Sequence, residues 1–188
     1  MSPVSPTRYR IVDSPIGPLT LRGEDEVLTG LSMQDQRHTP VLKADVTQDE
    51  GAFPDVVEQL AAYFAGDLTR FDVNLRLEGS GFQRRVWSAL QEIPYGATMS
   101  YGELAKKIGE PAAFRAVGLA NGRNPVAIIV PCHRVIGSSG ALVGYGGGLD
   151  RKRVLLDLER SHAEPHLGGL ALIPGPLTRG DLNRSMQR

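Results

Sequence analysis

The 188-residue chain holds one cysteine, Cys132, so it can form neither an internal disulfide nor a multi-cysteine metal site. No second thiol is present to resolve an adduct on the first. No apolar run approaches the roughly 20 residues of a membrane-spanning helix. The opening MSPVSPTRYR also lacks the apolar core of a secretory signal, so a cytoplasmic protein without membrane contact is expected. There is no internal repeat and no low-complexity tract. Net charge is missing as well, because 21 Lys and Arg balance 21 Asp and Glu.

A balanced total argues against a polyanionic partner, but the distribution argues for one. Residues 1–75 carry 6 basic against 12 acidic side chains, whereas residues 76–160 carry 12 against 7. An acidic first part beside a basic second part fits a protein in which one domain meets nucleic acid. The patterning predicts an α+β architecture: a small N-terminal domain with a three-stranded antiparallel sheet and a helix, then a mostly helical domain. The boundaries are expected at 1–77, 78–162 and an irregular tail, 163–188.

Strands are expected at 8–14, 19–22 and 27–33, separated by Pro15, Gly17, Pro18 and the acidic turn 24–26. Residues 53–64 place apolar side chains at helical spacing, with Gly66 just past the end. Residues 71–77 alternate as a strand or an extended linker would. The second part opens with a helix at 82–91, stopped by Ile93-Pro94-Tyr95-Gly96. Ser100 and Glu103 have capping-box spacing for a helix to about Ile108. After Gly109-Glu110-Pro111 a second helix is expected over 112–121, which together make a helix-turn-helix pattern. A last helix is expected at 150–160, with Val154, Leu155 and Leu158 inward.

The second helix of that pair is nearly bare. Ala112, Ala113, Ala116 and Gly118 cannot hydrogen-bond to base edges, and Arg115 is its one long polar side chain. Such a face lets a backbone approach DNA but reads little sequence, as a protein acting on scattered lesions requires.

The chemistry concentrates further on. Val126-Ala127-Ile128-Ile129-Val130 is an apolar run, expected as a buried strand or extended segment, and it delivers Pro131-Cys132-His133-Arg134-Val135. His133 is a candidate base for the thiol, and adjacent positive charge favours thiolate. Neighbours in extended chain point to opposite faces, so contact between Cys132 and His133 requires a turn or a bridging water. Gly144-Tyr145-Gly146-Gly147-Gly148 is a loop that lets backbone approach a ligand. Glu159, at the end of the last helix where the dipole disfavours an anion, calls for a cationic or hydrogen-bonding partner.

Together, Tyr101-Gly102-Glu103-Leu104, Arg115-Ala116-Val117-Gly118, Asn124-Pro125, Pro131-Cys132-His133-Arg134-Val135 and the Tyr145 loop resemble the O6-alkylguanine-DNA alkyltransferases. The resemblance is dense over 82–159, and Asp13-Ser14-Pro15-Ile16-Gly17-Pro18-Leu19 is similar to the opening of bacterial members. It implies that Cys132 accepts the alkyl group and that His133 draws off its proton through a water, oriented by Glu159. Tyr101 would protonate the departing guanine, and Arg115 would fill the gap left by the flipped nucleotide. Ala112, Ala113 and Ala116 would face DNA beside it. Asn124 would brace the turn before the active segment, and Tyr145, Gly146 and Val135 would line the guanine pocket, with Gly146 standing where many relatives have serine.

The implied partner is duplex DNA carrying O6-alkylguanine, with O4-alkylthymine as a second substrate, and no cofactor or metal is implied. The implied protein is a monomer in solution; whether copies cluster on DNA is left open. The residue types suit that chemistry. A thiolate displaces at saturated carbon without an oxyanion hole, the target base must leave the stack to be reached, and the thioether formed resists water. The rival readings are a non-catalytic helix-turn-helix lesion binder or regulator, and a cysteine hydrolase. A silent binder needs no acceptor cysteine, a regulator needs long side chains on 112–121, and a hydrolase turns over after its burst.

Overall fold

A computed structural model describes residues 6–38 and 46–163; the tail expected to be irregular lies, beyond Ala163, outside the described residues. The N-terminal sheet has the order β3-β2-β1-β4, built from β1 (Arg8–Val12), β2 (Leu19–Glu24), β3 (Val27–Met33) and the two-residue β4 (Thr47–Gln48). The first three strands are antiparallel neighbours, and β4 runs parallel to β1 at Arg8 and Tyr9. The α+β architecture expected from the sequence is the one observed. β1 ends sooner than expected because Ser14 accepts from the Gly17 amide and turns the chain at Pro15.

Leu19 and Leu21 of β2, and Leu28, Leu31 and Met33 of β3, share one face, where all are buried; a register shift at Arg22 and Gly23 keeps Leu28 on the side of Leu31 despite their odd spacing. Each buried leucine contributes about 1.5–3 kcal/mol. Helix α1 (Pro54–Ala65) covers that core with Val56, Leu60 and Tyr63. Its first residue is proline, whose missing amide costs nothing at a helix start, and Gly66 at φ 85° closes it. The segment 71–77 is an extended linker that meets the sheet at a backbone bridge, Leu28 to Leu75, and through Arg76, whose Nη2 binds Glu24 Oε2 at 2.7 Å.

The second part packs α2 (Gly81–Gln91), α3 (Tyr101–Lys107), α4 (Phe114–Gly122) and α5 (Leu149–His162) around Trp87, Leu90, Leu104, Val117 and Leu155. Ser80 and Ser100 form capping boxes with Gln83 and Glu103. The second helix of the expected pair starts later than the sequence suggested, at Phe114. Pro111–Ala113 instead form a tight 3-10 turn after the Gly109 bend. Trp87 fixes α4 from behind, its Nε1 donating to Ala120 O at 2.9 Å.

Two expectations are corrected. Val126–Val130 is buried, but it is not a strand. Its amides close on one another, Ile129 N to Ala127 O at 2.8 Å and Val130 N to Val126 O at 3.0 Å, with Ile128 at φ 70°. That φ is uncommon for a β-branched residue. The coil is held from outside, because Leu31 of β3 exchanges hydrogen bonds with Pro125 O and the Ala127 amide, both at 2.9 Å. On α5 the inward stripe is Lys152, Leu155, Leu156 and Glu159, while Val154 is 46 % exposed. The helix is rotated from the expected face because both charged ends of this stripe find partners in the core.

One apolar core runs through both parts. No helix among the described residues is long and apolar enough to cross a membrane.

Candidate active site

Cys132 opens a single 3-10 turn, Cys132–Arg134, which leads into β6 (Val135–Ile136), paired parallel with β5 (Met99–Ser100). The turn supplies the geometry that extended chain could not. Asn124 holds the coil in front of it at both ends, donating from Nδ2 to Val130 O at 2.7 Å and accepting the Val126 amide on Oδ1 at 3.0 Å. Cys132 is 5 % exposed. Burial pushes its thiol up from the ordinary value, partly offset by Asn124 and by Lys152.

The expectation that adjacent positive charge favours a resting thiolate is therefore corrected. Arg134 turns from the sulfur and binds Glu159, with Nε to Oε2 at 2.8 Å and Nη2 to Oε1 at 2.9 Å. Its Nη1 donates to Ile93 O at 2.6 Å.

Glu159 is fully buried and is the centre of the network. Besides Arg134 it accepts from His133 Nε2 at 2.8 Å, Tyr63 Oη at 2.8 Å and the Gly96 amide at 3.1 Å. Burial alone would raise this carboxyl. His133 and Arg134 outweigh it and hold the group well below the usual carboxylate range. An ionised acceptor at Nε2 assigns the proton of a neutral His133 to that nitrogen. Nδ1 then carries the free lone pair, and it has no protein partner among the described residues. Burial lowers the pKa of His133 more than Glu159 raises it, so the imidazole rests neutral. A neutral, oriented base beside a neutral thiol is an arrangement for abstracting a proton on demand.

Tyr101 begins α3 with its hydroxyl donating to Val143 O at 3.3 Å and Gly144 O at 3.2 Å. Burial raises its pKa, and so would a charge on Cys132. Tyr145 follows in the same loop with its hydroxyl buried and its pKa well above the ordinary value, again through burial. Gly146 O accepts the Arg37 amide at 3.0 Å. The Val135 side chain is fully buried.

Both conserved-sequence family models that match the chain are of one kind. The 6-O-methylguanine DNA methyltransferase DNA binding domain matches residues 81–161, and the ribonuclease-like domain of the same proteins matches residues 7–77. The chain belongs to the 6-O-methylguanine DNA methyltransferase family. A methylated-DNA–protein-cysteine methyltransferase of Mycolicibacterium paratuberculosis is 65% identical over 159 residues, 85% of this chain and 96% of that one. The protein of the same description from the archaeon Methanosarcina acetivorans is 54% identical over 153 residues, 81% and 98% of the two chains. The crystal structure of Mycobacterium tuberculosis OGT in complex with DNA is 62% identical, with a TM-score of 0.79 over 84% of this chain and 96% of that one.

In this methyltransferase-family chain Cys132, His133, Asn124 and Glu159 are buried along one stretch of core, while Tyr101 and Tyr145 are half-buried, with the Tyr101 hydroxyl tied to the loop that carries Tyr145. Arg115, Ala112 and Ala116 lie apart from it, exposed on the outer side of α4 and the turn before it, with Ala113 half-buried. Arg115 sits over the exposed Phe114 ring, its Cζ 5.5 Å from the centroid.

Sequence reasoning missed three contributors. Lys152 is fully buried, with Nζ donating to Val135 O at 2.6 Å and Val143 O at 2.9 Å, and burial lowers its pKa to about 8. It fastens the Tyr145 loop to the strand after the nucleophile. Tyr63 reaches Glu159 from 96 residues away. Asn121 donates to the nucleophile's own carbonyl. The i, i+3, i+4, i+7 spacing of Lys152, Leu155, Leu156 and Glu159 carried a signal for the first; nothing local announces the other two. Among the described residues no group of three His, Cys, Asp or Glu side chains could hold a metal ion.

Proposed function

We propose that the protein reverses DNA alkylation directly, transferring the alkyl group of O6-alkylguanine to Cys132 Sγ in one irreversible turnover. The observation that carries this reading is a lone, buried cysteine followed directly by a neutral histidine whose Nε2 is locked by an ionised glutamate, in a chain matched over most of its length by methylated-DNA–protein-cysteine methyltransferases.

In this reading the thiol proton passes to His133 Nδ1 through a water. Sulfur forms a bond to the alkyl carbon as the carbon–O6 bond breaks, and the electron pair goes to the guanine. Tyr101 protonates the departing base and recovers its proton from the one His133 removed, so the products are a thioether and guanine. Glu159 stabilises the imidazolium while it exists. Asn124 fixes the coil in front of the nucleophile, and Tyr145, Gly146 and Val135 line the base pocket.

Residues 78–162 engage duplex DNA through their basic surplus and the bare outer face of α4. Ala112, Ala113 and Ala116 allow close approach there, and Arg115 fills the stack when the base is extruded. Residues 1–77 support the site through Leu31 and Tyr63. The reading implies a cytoplasmic protein that binds lesion-bearing duplex DNA as a monomer.

Intact-mass measurement after mixing with duplex DNA containing O6-methylguanine tests the reading. One added methyl on the peptide containing Cys132, and a reaction that stops at one equivalent, are expected. An unmodified Cys132, or continued turnover, would remove the assignment.

A further inference from the structure

Phe114, the first residue of α4, takes no part in the function as set out. It is 48 % exposed, and it is the one aromatic side chain that the described residues leave exposed. The core does not call for it, since α4 enters the core through Val117, Ala120 and Asn121. An exposed leucine or valine is ordinary on a protein surface, but the surroundings of this ring are not. Ala112, Ala113 and Ala116 on either side end at their methyl groups, and the Arg115 guanidinium lies over the ring with Cζ 5.5 Å from the centroid. Two flat groups, one apolar and one cationic, therefore project together from a surface of small side chains.

The helix sets where the ring stands relative to the site. Phe114 and Gly118 are four residues apart and share a face. The Tyr101 ring lies against that face at Gly118, where an added Cβ would stand 3.7 Å from ring carbons Cδ1 and Cε1. Phe114 thus begins the row along α4 that leads to Tyr101, the acid of the proposed transfer. α4 and its C-cap carry Arg115 and Arg123 and no acidic residue, so the surface from which the ring projects suits a polyanion. Duplex DNA is a polyanion whose interior is a stack of flat, weakly polar faces, and aromatic side chains enter such stacks as wedges.

We propose that Phe114 is a DNA-stacking residue of base extrusion, entering the base stack beside the lesion ahead of Arg115. The ring unstacks the step from which the alkylated guanine leaves, and the guanidinium it carries follows into the vacated space. Every base offers a face to stack on, so the contact adds affinity for the duplex without adding sequence preference. The inference rests on the DNA repair proposed above and assigns Phe114 no contact with the alkyl group or with Cys132.

The test uses the full-length protein as wild type, Phe114→Ala, Phe114→Trp and Arg115→Ala, with Phe114→Ala also placed on Arg115→Ala. Single-turnover transfer is measured with a duplex containing O6-methylguanine and with the free base O6-benzylguanine. Affinity for the duplex is measured over a series of salt concentrations. Phe114→Trp supplies a reporter, since tryptophan emission is quenched when the indole stacks on bases. Wild type, which has the buried Trp87 alone, is its control.

Phe114→Ala is expected to lower duplex affinity and duplex repair about 5- to 100-fold, the range of one aromatic–base stack, with a much smaller loss toward O6-benzylguanine. The salt dependence of binding should keep its slope, because no phosphate contact is lost. Phe114→Trp should repair the duplex near the wild-type rate, and its added emission should be quenched on the lesion-bearing duplex. Placed on Arg115→Ala, Phe114→Ala should slow duplex repair further, which a ring that merely carried Arg115 would not do. Wild-type repair by Phe114→Ala, an equal loss toward O6-benzylguanine, a flatter salt slope, no further loss on Arg115→Ala, or an added tryptophan that stays bright on the duplex would each overturn the role. Wild-type protein that gains no methyl group on Cys132 would instead remove the underlying reading.

Discussion

Glu159→Gln isolates the charge at the centre of the site, because the side chain keeps its shape and the five donors around it stay in place. Three of them meet Oε1 (Tyr63 Oη, His133 Nε2 and Arg134 Nη2) and two meet Oε2 (the Gly96 amide and Arg134 Nε). Whichever way the glutamine amide turns, its own NH2 faces at least two of these donors. Arg134, 7 % exposed, is left as a buried cation without its anion. Removing one partner of a buried pair costs about 3–5 kcal/mol, a large share of the roughly 5–15 kcal/mol that holds a domain folded.

The pH dependence gives a second signature. The Glu159 carboxyl is held below its ordinary value of 4.5, so its contribution is complete above that pH and is lost as the pH falls beneath it. His133, lowered from 6.5 by burial, acts with the same sign: below 6.5 the unfolded chain takes up a proton that the folded one resists. Wild-type stability should therefore decline in two stages on acidification. Glu159→Gln should begin lower and lack the stage below 4.5. Urea unfolding followed by Trp87, the one tryptophan, reads both. A loss under ~1 kcal/mol at neutral pH, within what an exposed pair gives, or an acid slope equal to wild type, would refute the reasoning.

Arg115→Ala should slow repair of duplex DNA far more than reaction with free O6-benzylguanine, which needs no base extrusion; single-turnover kinetics with equal losses on the two would assign Arg115 elsewhere. Lys152→Met removes the charge-assisted hydrogen bonds to Val135, Val143 and Gly144, so urea unfolding should show a loss of about 1–3 kcal/mol. Its transfer should weaken through poorer O6-benzylguanine binding, and iodoacetamide capture of Cys132 should slow as well, because Lys152 no longer offsets the burial of the thiol. Gly147→Ala would put a Cβ 2.4 Å from Met33 Sδ and 3.1 Å from Tyr145 Cε1, so overpacking of about 1–3 kcal/mol and a displaced Tyr145 are expected in unfolding and substrate-binding measurements.

The elements that local pattern governs were legible in the sequence. Ser100 and Glu103 announce the start of α3, and the alternation of Leu19 and Leu21 announces β2. The lone cysteine beside histidine marked the chemistry. What the sequence hid depends on contacts distant along the chain. Val126–Val130 has the composition of a strand, yet Asn124 and Leu31 take its hydrogen-bonding groups and coil it. Arg134 stands two residues after Cys132 and one past His133, and a 3-10 turn sends the two side chains to the same carboxylate. Lys152 went unread until a stripe with two leucines set it in the core, whereas Glu159, at the unfavourable end of its helix, already called for a partner. Tyr63 carried no signal at all, since its partner stands in the other half of the chain.

The distribution of charge bears on why a protein that reacts once should bury its nucleophile. Two neutral groups, one closed ion pair and the buried Lys152 make up the resting site: burial raises the thiol, lowers the imidazole and leaves formal charge on Arg134, Glu159 and Lys152. A standing thiolate would be faster toward every soft electrophile, and each stray encounter would consume the one thiol the chain has. Keeping both members neutral moves the cost of making thiolate and imidazolium to the moment a base occupies the pocket. Glu159, already ionised and already bound to Nε2, then meets the new imidazolium without reorganising. Thiolate formation under this arrangement follows proton removal by His133, with Lys152 only partly offsetting the burial of the thiol, while Arg134 serves the carboxylate and not the cysteine.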